Sequence, residues 1–293
     1  SPATILLVGS GIAGTIREML KHPIQMLHYV ELDPLMIEAS VPYLSAQDKN
    51  ALADKRVGLF FKDGRYFIQH GIEQYDMIIL NLSDPSTAML NRFYTIEFFK
   101  EAKKRLSPGG VLVTGITGSD TYLGQEVGVY ASSLYHTLGK VFTHIVVAPG
   151  TKNYFFVTDT PGAVSSVPDM LAQRYESRGI KSDYFTPHHF SMLFPRERSA
   201  YLLQKLENKT PVQINTDICP ITYYYNLVLW ESITGSKGRS YLFQGLAGRL
   251  YLLVLPLILL FSIRVVYVLA TKRRLAAHLN CNALFALAAA GFA

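Results

Sequence analysis

Cysteine is scarce: Cys219 and Cys281 are the only two in 293 residues. Two thiols cannot build a disulfide framework, and Cys281 lies in an apolar tail; the pair fits a reducing compartment. No zinc-ligand spacing and no RNA-binding aromatic motif occurs. Charge is sparse as well. Charged side chains make up 17% of the chain and hydrophobic ones 49%, against about 25% charged in ordinary soluble domains. That balance excludes a disordered chain. The sequence has no starting methionine, signal peptide, internal repeat or low-complexity tract. A strand pattern begins directly after Ser1-Pro2, and an apolar run, Ala283–Ala293, closes the sequence. Both ends therefore read as cut, and a longer parent protein is expected.

The net charge of +6 gathers near the tail, at Lys237, Arg239, Arg249, Lys272, Arg273 and Arg274. These residues read as flanks of a membrane segment, and no nucleic-acid partner is expected. Between them, Leu250–Ala270 is almost wholly apolar. At ~1.5 Å per residue it reaches ~32 Å, enough for the ~30 Å bilayer core. Pro256 would kink this span, and Arg264 must snorkel or face protein. Ala283 onward resembles the start of a second span. Basic residues flank both ends of the first span, so they do not fix its orientation.

Before the tail, short apolar runs alternate with helical patterns. Strands are expected at Thr4–Val8, Leu27–Glu31, Val57–Phe61, Met77–Leu80, Val111–Ile116, Phe142–Ala148 and Tyr154–Thr158. Helices are expected at Thr15–Lys21, Pro34–Val41, Ile96–Leu106, Tyr122–Leu138 and Pro168–Ser177. This alternation implies βαβ units and a mostly parallel sheet. The last two strands join through Pro149–Asn153, a hairpin pattern. The predicted fold is α/β: a class I methyltransferase-like (Rossmann-like) mostly parallel sheet with a C-terminal antiparallel hairpin, followed by a transmembrane helix. Three regions result, 1–160, a small accessory module and linker at 161–240, and membrane segments at 241–293.

Gly9, Gly11 and Gly14 form a GxGxxG that follows the first strand and opens a helix. Such glycines allow a tight turn and close backbone approach to a ligand. Dinucleotide and nucleoside-sulfonium folds both use the motif, and so does a tight turn that holds nothing. Glu31 ends the second strand, where an acid accepts both ribose hydroxyls; a solvated loop carboxylate is the plainer alternative. Asp33-Pro34 reads as an N-cap followed by the first helical residue. Asp63-Gly64 follows the third strand, where a carboxylate accepts from an adenine amino group; an Asp-Gly turn fits equally well. Asn81–Asp84 follows the fourth. All four segments fall beyond the carboxyl ends of successive strands, where open α/β sheets bind ligands.

Taken in order, Val8–Glu18, Val30–Pro34, Lys62–Phe67, Tyr75–Ile79, Tyr94–Phe99 and Leu106–Val113 resemble the spermidine synthase (polyamine aminopropyltransferase) family. Asn215-Thr216-Asp217 and the stretch from Pro220 to Trp230 are similar to its membrane-anchored bacterial members. The resemblance implies that region 1–160 binds a nucleoside sulfonium. Its co-substrate would be decarboxylated S-adenosylmethionine or S-adenosylmethionine, with no permanently bound cofactor. A diamine such as putrescine would attack the aminopropyl carbon, and methylthioadenosine would leave. Gly9, Gly11, Ile12, Gly14, Glu31, Asp63 and Gly64 would hold the nucleoside, and Asn81 and Asp84 would form the catalytic loop. It also implies membrane lipid as a partner, a multi-pass cell-membrane location with a cytoplasmic soluble domain, and a homodimer.

Three departures qualify the reading. The family usually has Asp at Ile12 and a base-forming Asp at Asn81, and its N-terminal β-hairpin domain is not in this chain. Asparagine accepts no proton as a base, so weakened aminopropyl transfer is expected. The alternatives are an S-adenosylmethionine-dependent methyltransferase and a catalytically degenerate nucleoside-binding membrane protein. A flavin- or NAD-dependent oxidoreductase ranks last, because it gives Asp63-Gly64 and Asp84-Pro85 no role.

Overall fold

The computed structural model describes residues 2–119, 125–180, 182, 184–207, 213–234 and 251–271. They fall into two compact units, Ser1–Thr234 and Gly235–Ala293. The first unit is built on a seven-stranded sheet of order β3-β2-β1-β4-β5-β7-β6. Its strands are β1 (Thr4–Gly9), β2 (Met26–Glu31), β3 (Val57–Phe61), β4 (Tyr75–Asn81), β5 (Leu106–Thr117), β6 (His144–Ala148) and β7 (Lys152–Thr158). The first five are mutually parallel, and β7 runs antiparallel to both β5 and β6. The expected mostly parallel sheet with a closing antiparallel hairpin is thus the observed one.

Burial on both faces explains why the central strands read as unbroken apolar runs. In β1, Leu6 and Val8 join the larger core cluster, while Ile5 and Leu7 join a second cluster on the opposite face. The larger cluster extends through the Tyr94, Phe98 and Phe99 rings to Leu134 and Leu138. The second gathers Ile12, Ile16, Ile24, Leu27, Tyr29 and Ile37.

Helices cover both faces: α1 (Thr15–Leu20), α2 (Pro34–Ser40), α3 (Ala46–Leu52), α4 (Gly64–His70), α5 (Ala88–Asn91), α6 (Ile96–Lys103) and α7 (Gln125–Gly139). Then follow α8 (Pro168–Ser177), α9 (His189–Leu193), α10 (Arg196–Glu207) and α11 (Ile221–Thr234). Asp33 caps α2 as its sequence context implies, accepting from the Leu35 N–H at 2.9 Å with Pro34 in the first turn. The α6 helix ends at Lys103 rather than Leu106, because β5 begins with Leu106 and its pairing to Tyr75. Residues 122–124 of the predicted fourth helix lie outside the described residues.

Helices α10 and α11 both pack on α7. The segment leading into α11 is stitched to the sheet domain by polar contacts. Asn215 is fully buried; its amide donates to Asn91 Oδ1 at 3.1 Å and to the Tyr94 carbonyl at 2.9 Å. Asp217 accepts two 2.8 Å bonds from Arg65, whose guanidinium also reaches Glu101, and a 2.7 Å bond from the Thr95 hydroxyl.

The predicted span Leu250–Ala270 is helical, as α12 (Tyr251–Thr271), with Pro256 inside it. The expected transmembrane helix is nevertheless not found: among the described residues no helix is long and apolar enough to cross a membrane. The second predicted span, Cys281 and the basic flanks at Lys237, Arg239, Arg249 and Lys272–Arg274 lie outside the described residues.

Candidate active site

The sheet reverses direction between β1 and β4, since β2 and β3 extend one way from β1 and β5 the other. Such a switch point opens a crevice beyond the strand carboxyl ends. A cavity of about 200 Å³ lies there, lined by Gly9, Glu31, Lys62, Asp63, Gly64 and Arg92 together with apolar neighbours. Two larger open clefts flank β6 and collect none of the four post-strand segments.

Close packing of backbones makes the glycines necessary. Gly9 has φ +85°, and a Cβ there would lie 2.6 Å from Leu82 Cδ2 and 2.7 Å from the Asn81 carbonyl. Gly64 likewise leaves no room for a side chain beside Val8 Cγ1. Gly14 adopts a left-handed conformation as it opens α1. Gly11 faces the Leu7 and Tyr29 side chains. Neither Gly11, Gly14 nor Ile12 lines the cavity. Ile12 is 7% exposed and packs in the second core cluster, so its side chain belongs to the interior.

Glu31 is 9% exposed at the end of β2. Its carboxylate accepts from the Tyr29 hydroxyl at 3.2 Å and the Leu32 N–H at 2.8 Å. Tyr29 and Glu31 share one strand face, two residues apart, which lets the phenol brace the carboxylate. Burial and the adjacent Glu31 charge push the Tyr29 ionisation well up, so the phenol stays a donor. Asp63 has two partners. One oxygen caps α4 through the Tyr66 N–H at 3.0 Å, and the other pairs with Arg92. The Asp-Gly step is therefore a helix cap on the rim of the cavity, not a free turn.

The loop after β4 is tied from several sides. The Asn81 amide donates to the Ser10 carbonyl, joining this loop to the glycine-rich one. The buried Tyr94 hydroxyl donates to the Ser83 carbonyl at 2.8 Å. Asp84 accepts from the Thr117 N–H at 2.9 Å and from the Asn226 amide at 3.3 Å. Tyr130 is buried nearby, and desolvation, with the Asp84 charge adding to it, raises its ionisation strongly. Lys152 Nζ donates to the Leu82 carbonyl at 3.0 Å. Burial holds this ammonium below the usual lysine range, with Asp84 opposing the shift.

The fold thus brings Gly9, Glu31, Asp63 and Gly64 to one cavity and sets Asn81 and Asp84 in the neighbouring loop. Arg92, Asn226, Tyr130 and Lys152 were not singled out from the sequence. Arg92 carries no local signal, and Asn226 lies in the Pro220–Trp230 stretch of the family resemblance, where no role was assigned to it. The signal available for Lys152 was a lone cation in the turn between two apolar strands. Among the described residues no group of His, Cys, Asp and Glu is placed to hold a metal ion.

Residues 1–148 match the spermine/spermidine synthase domain. A polyamine aminopropyltransferase of Korarchaeum cryptofilum is 36% identical over 232 residues, covering 76% of this chain and 69% of that protein. Polyamine aminopropyltransferase 2 of Aquifex aeolicus is 28% identical over 228 residues, covering 75% of this chain but 42% of that one. A crystal structure of spermidine synthase with the transition-state analogue AdoDATO superposes with TM-score 0.55 and 21% identity, covering 71% of this chain and 70% of that chain. The spermidine synthase of Thermotoga maritima gives 0.54 and 22%, covering 71% and 69%. These two structures share the fold, and the sequence match extends along the strands and loops that build the cavity. The chain belongs to the spermine/spermidine synthase family.

Proposed function

We propose that this chain moves an aminopropyl group from decarboxylated S-adenosylmethionine to an amine. The observation that carries the reading is the convergence of Glu31 and Asp63 on one cavity at the switch point, with Asp84 held in the next loop. In this reading Glu31 takes the ribose hydroxyls. Its two bonds to Tyr29 and Leu32 leave acceptor capacity free, because a carboxylate offers about four lone-pair sites. Asp63 takes the adenine amino group, and Arg92 shares that carboxylate.

The sulfonium already activates the carbon, so no permanent cofactor is required. The acceptor nitrogen attacks the carbon bonded to sulfur and the C–S bond breaks. Its electrons go to sulfur, methylthioadenosine leaves, and the nitrogen sheds one proton. Asp84 is the carboxylate of this loop that holds the acceptor ammonium, and the shed proton goes to water before the freed lone pair attacks. Asn81 cannot take it as a base, and its amide is committed to Ser10. General-base assistance contributes about 10²–10⁴-fold, so slow turnover of putrescine is expected.

Methyl transfer from S-adenosylmethionine is the second reading. It is favoured by the burial of Ile12 in the core, which leaves no acid there to repel a methionine carboxylate. Release of methylthioadenosine with an added amine supports the first reading; release of S-adenosylhomocysteine supports the second. Replacing Glu31 by Ala is expected to weaken methylthioadenosine binding by about 1.5–3 kcal/mol, the scale of hydrogen bonds to a charged group. Tight NAD or FAD binding with no sulfonium-nucleoside binding refutes both.

A cell-membrane location is part of the proposal. Eight apolar side chains of α12 between Leu255 and Val266 are exposed, Phe261 by 69%. Exposed apolar surface of this kind marks a membrane or partner contact. Removal of residues 242–293 is expected to shift the protein from the membrane to the soluble fraction of a cell lysate. An unchanged soluble fraction for the full chain refutes it.

A further inference from the structure

The β5–β7 pairing sets Thr117 opposite Lys152. Because β5 is a parallel member of the sheet, Thr117 lies at its carboxyl edge, and the antiparallel β7 begins there with Lys152. Thr117 also donates its N–H to Asp84. One register pair therefore sets a fixed ammonium and a fixed carboxylate at the same edge, with the ammonium anchored on the carbonyl of Leu82, two residues before Asp84.

The charges bear on which acceptor this site admits. Asn81 is neutral, Ile12 is apolar and turned into the core, and Asp84 and Lys152 balance each other. At neutral pH both ends of a simple diamine are ammonium ions, since alkyl amines titrate near pH ~10. Asp84 accommodates one such end. A second ammonium would meet Lys152, which is half-buried and partly stripped of screening water, and like charges there repel strongly. An acidic group in place of the second ammonium would instead meet a ready partner.

We propose that Lys152 determines acceptor specificity, selecting an amine that bears an acidic group, its nitrogen facing Asp84 and its acid paired with Lys152. This rests on the aminopropyl-transfer reading, and the bond changes are those given above.

The test compares putrescine with 4-aminobutyrate, which has a carboxylate where putrescine has its second ammonium. Binding of each to the full chain saturated with methylthioadenosine is measured by calorimetry. Methylthioadenosine release from decarboxylated S-adenosylmethionine is followed in parallel. The native chain is expected to favour 4-aminobutyrate at least tenfold in Kd and in kcat/KM. Lys152→Gln keeps a donor for the Leu82 carbonyl and is expected to reduce that preference at least tenfold. Lys152→Arg keeps the charge and the preference, and serves as the second variant should the glutamine protein not fold. A native preference for putrescine, a ratio unchanged in Lys152→Gln, or binding of neither amine overturns the proposal. So does a loss confined to S-adenosylmethionine, which would assign Lys152 to the methionine carboxylate. If the binding preference depends on Lys152 but neither amine releases methylthioadenosine, the aminopropyl-transfer reading fails and the selection of an acidic amine stands.

Discussion

Asp63 is asked to do two things, and two substitutions separate them. One oxygen caps α4 and the other pairs with Arg92 on the cavity rim. Asp63→Ala removes both. The lost cap costs about 1 kcal/mol. The Asp63 and Arg92 side chains are 27% and 34% exposed, so their ion pair adds only about 0.5 kcal/mol. A total near 1.5 kcal/mol lowers Tm by about 3–6 °C in a unit of this size. Asp63→Asn behaves differently. Asparagine caps helices about as well as aspartate, so α4 stays capped and Tm is expected to fall by less than about 2 °C. The same change replaces an acceptor by an NH₂ donor on the side that would meet the adenine amino group. Methylthioadenosine affinity is therefore expected to drop by about 1.5–3 kcal/mol, roughly 10- to 150-fold, in both variants. Calorimetric titration and thermal melts on the same preparations measure the two effects. Native affinity in Asp63→Asn, with loss in Asp63→Ala proportional to its destabilisation, would show that Asp63 is a helix cap and nothing more.

Two further outcomes follow from named contacts. Ile12 sits among Leu7, Ile16 and Tyr29 in the second core cluster, so Ile12→Asp, which copies the usual family residue, buries an unpaired carboxylate; urea unfolding should show a loss of about 3 kcal/mol or more. Asp217 is held below the usual carboxylate range chiefly by its Arg65 hydrogen bonds. Its folded pKa lies below the unfolded value near 3.8, so it stabilises at neutral pH, and that contribution fades as pH falls below about 4. With the Asp217 side chain 37% exposed, solvent screening limits it to about 1 kcal/mol. Asp217→Asn should thus differ from the native protein at pH 7 and converge with it in acid, and a pH-independent difference would refute the pairing argument.

The sheet and the four segments beyond it are legible in the residues alone. Strands such as β1 and β4 are buried on both faces, so Thr4–Val8 and Met77–Leu80 stand out as apolar runs, and the glycines and acids that follow them mark the turns. Asp33-Pro34 announced α2 through a cap that is local in sequence. Helices α3, α4, α5, α9, α10 and α11 were not legible: α4 opens on an Asp-Gly step that also reads as a turn, and α10 and α11 are fixed by packing on neighbours. The rest of the site is assembled by contacts between residues far apart in the chain. Arg92 reaches Asp63 across 29 residues, Lys152 reaches Leu82 across 70, and Asn226 reaches Asp84 across 142. Those meetings depend on strand order and on the β5–β7 register, which are set by how the whole sheet closes its core. Ile12 makes the same point: its place in the glycine-rich loop suggested a ligand-facing position, and the packing of α1 against the sheet turned it inward.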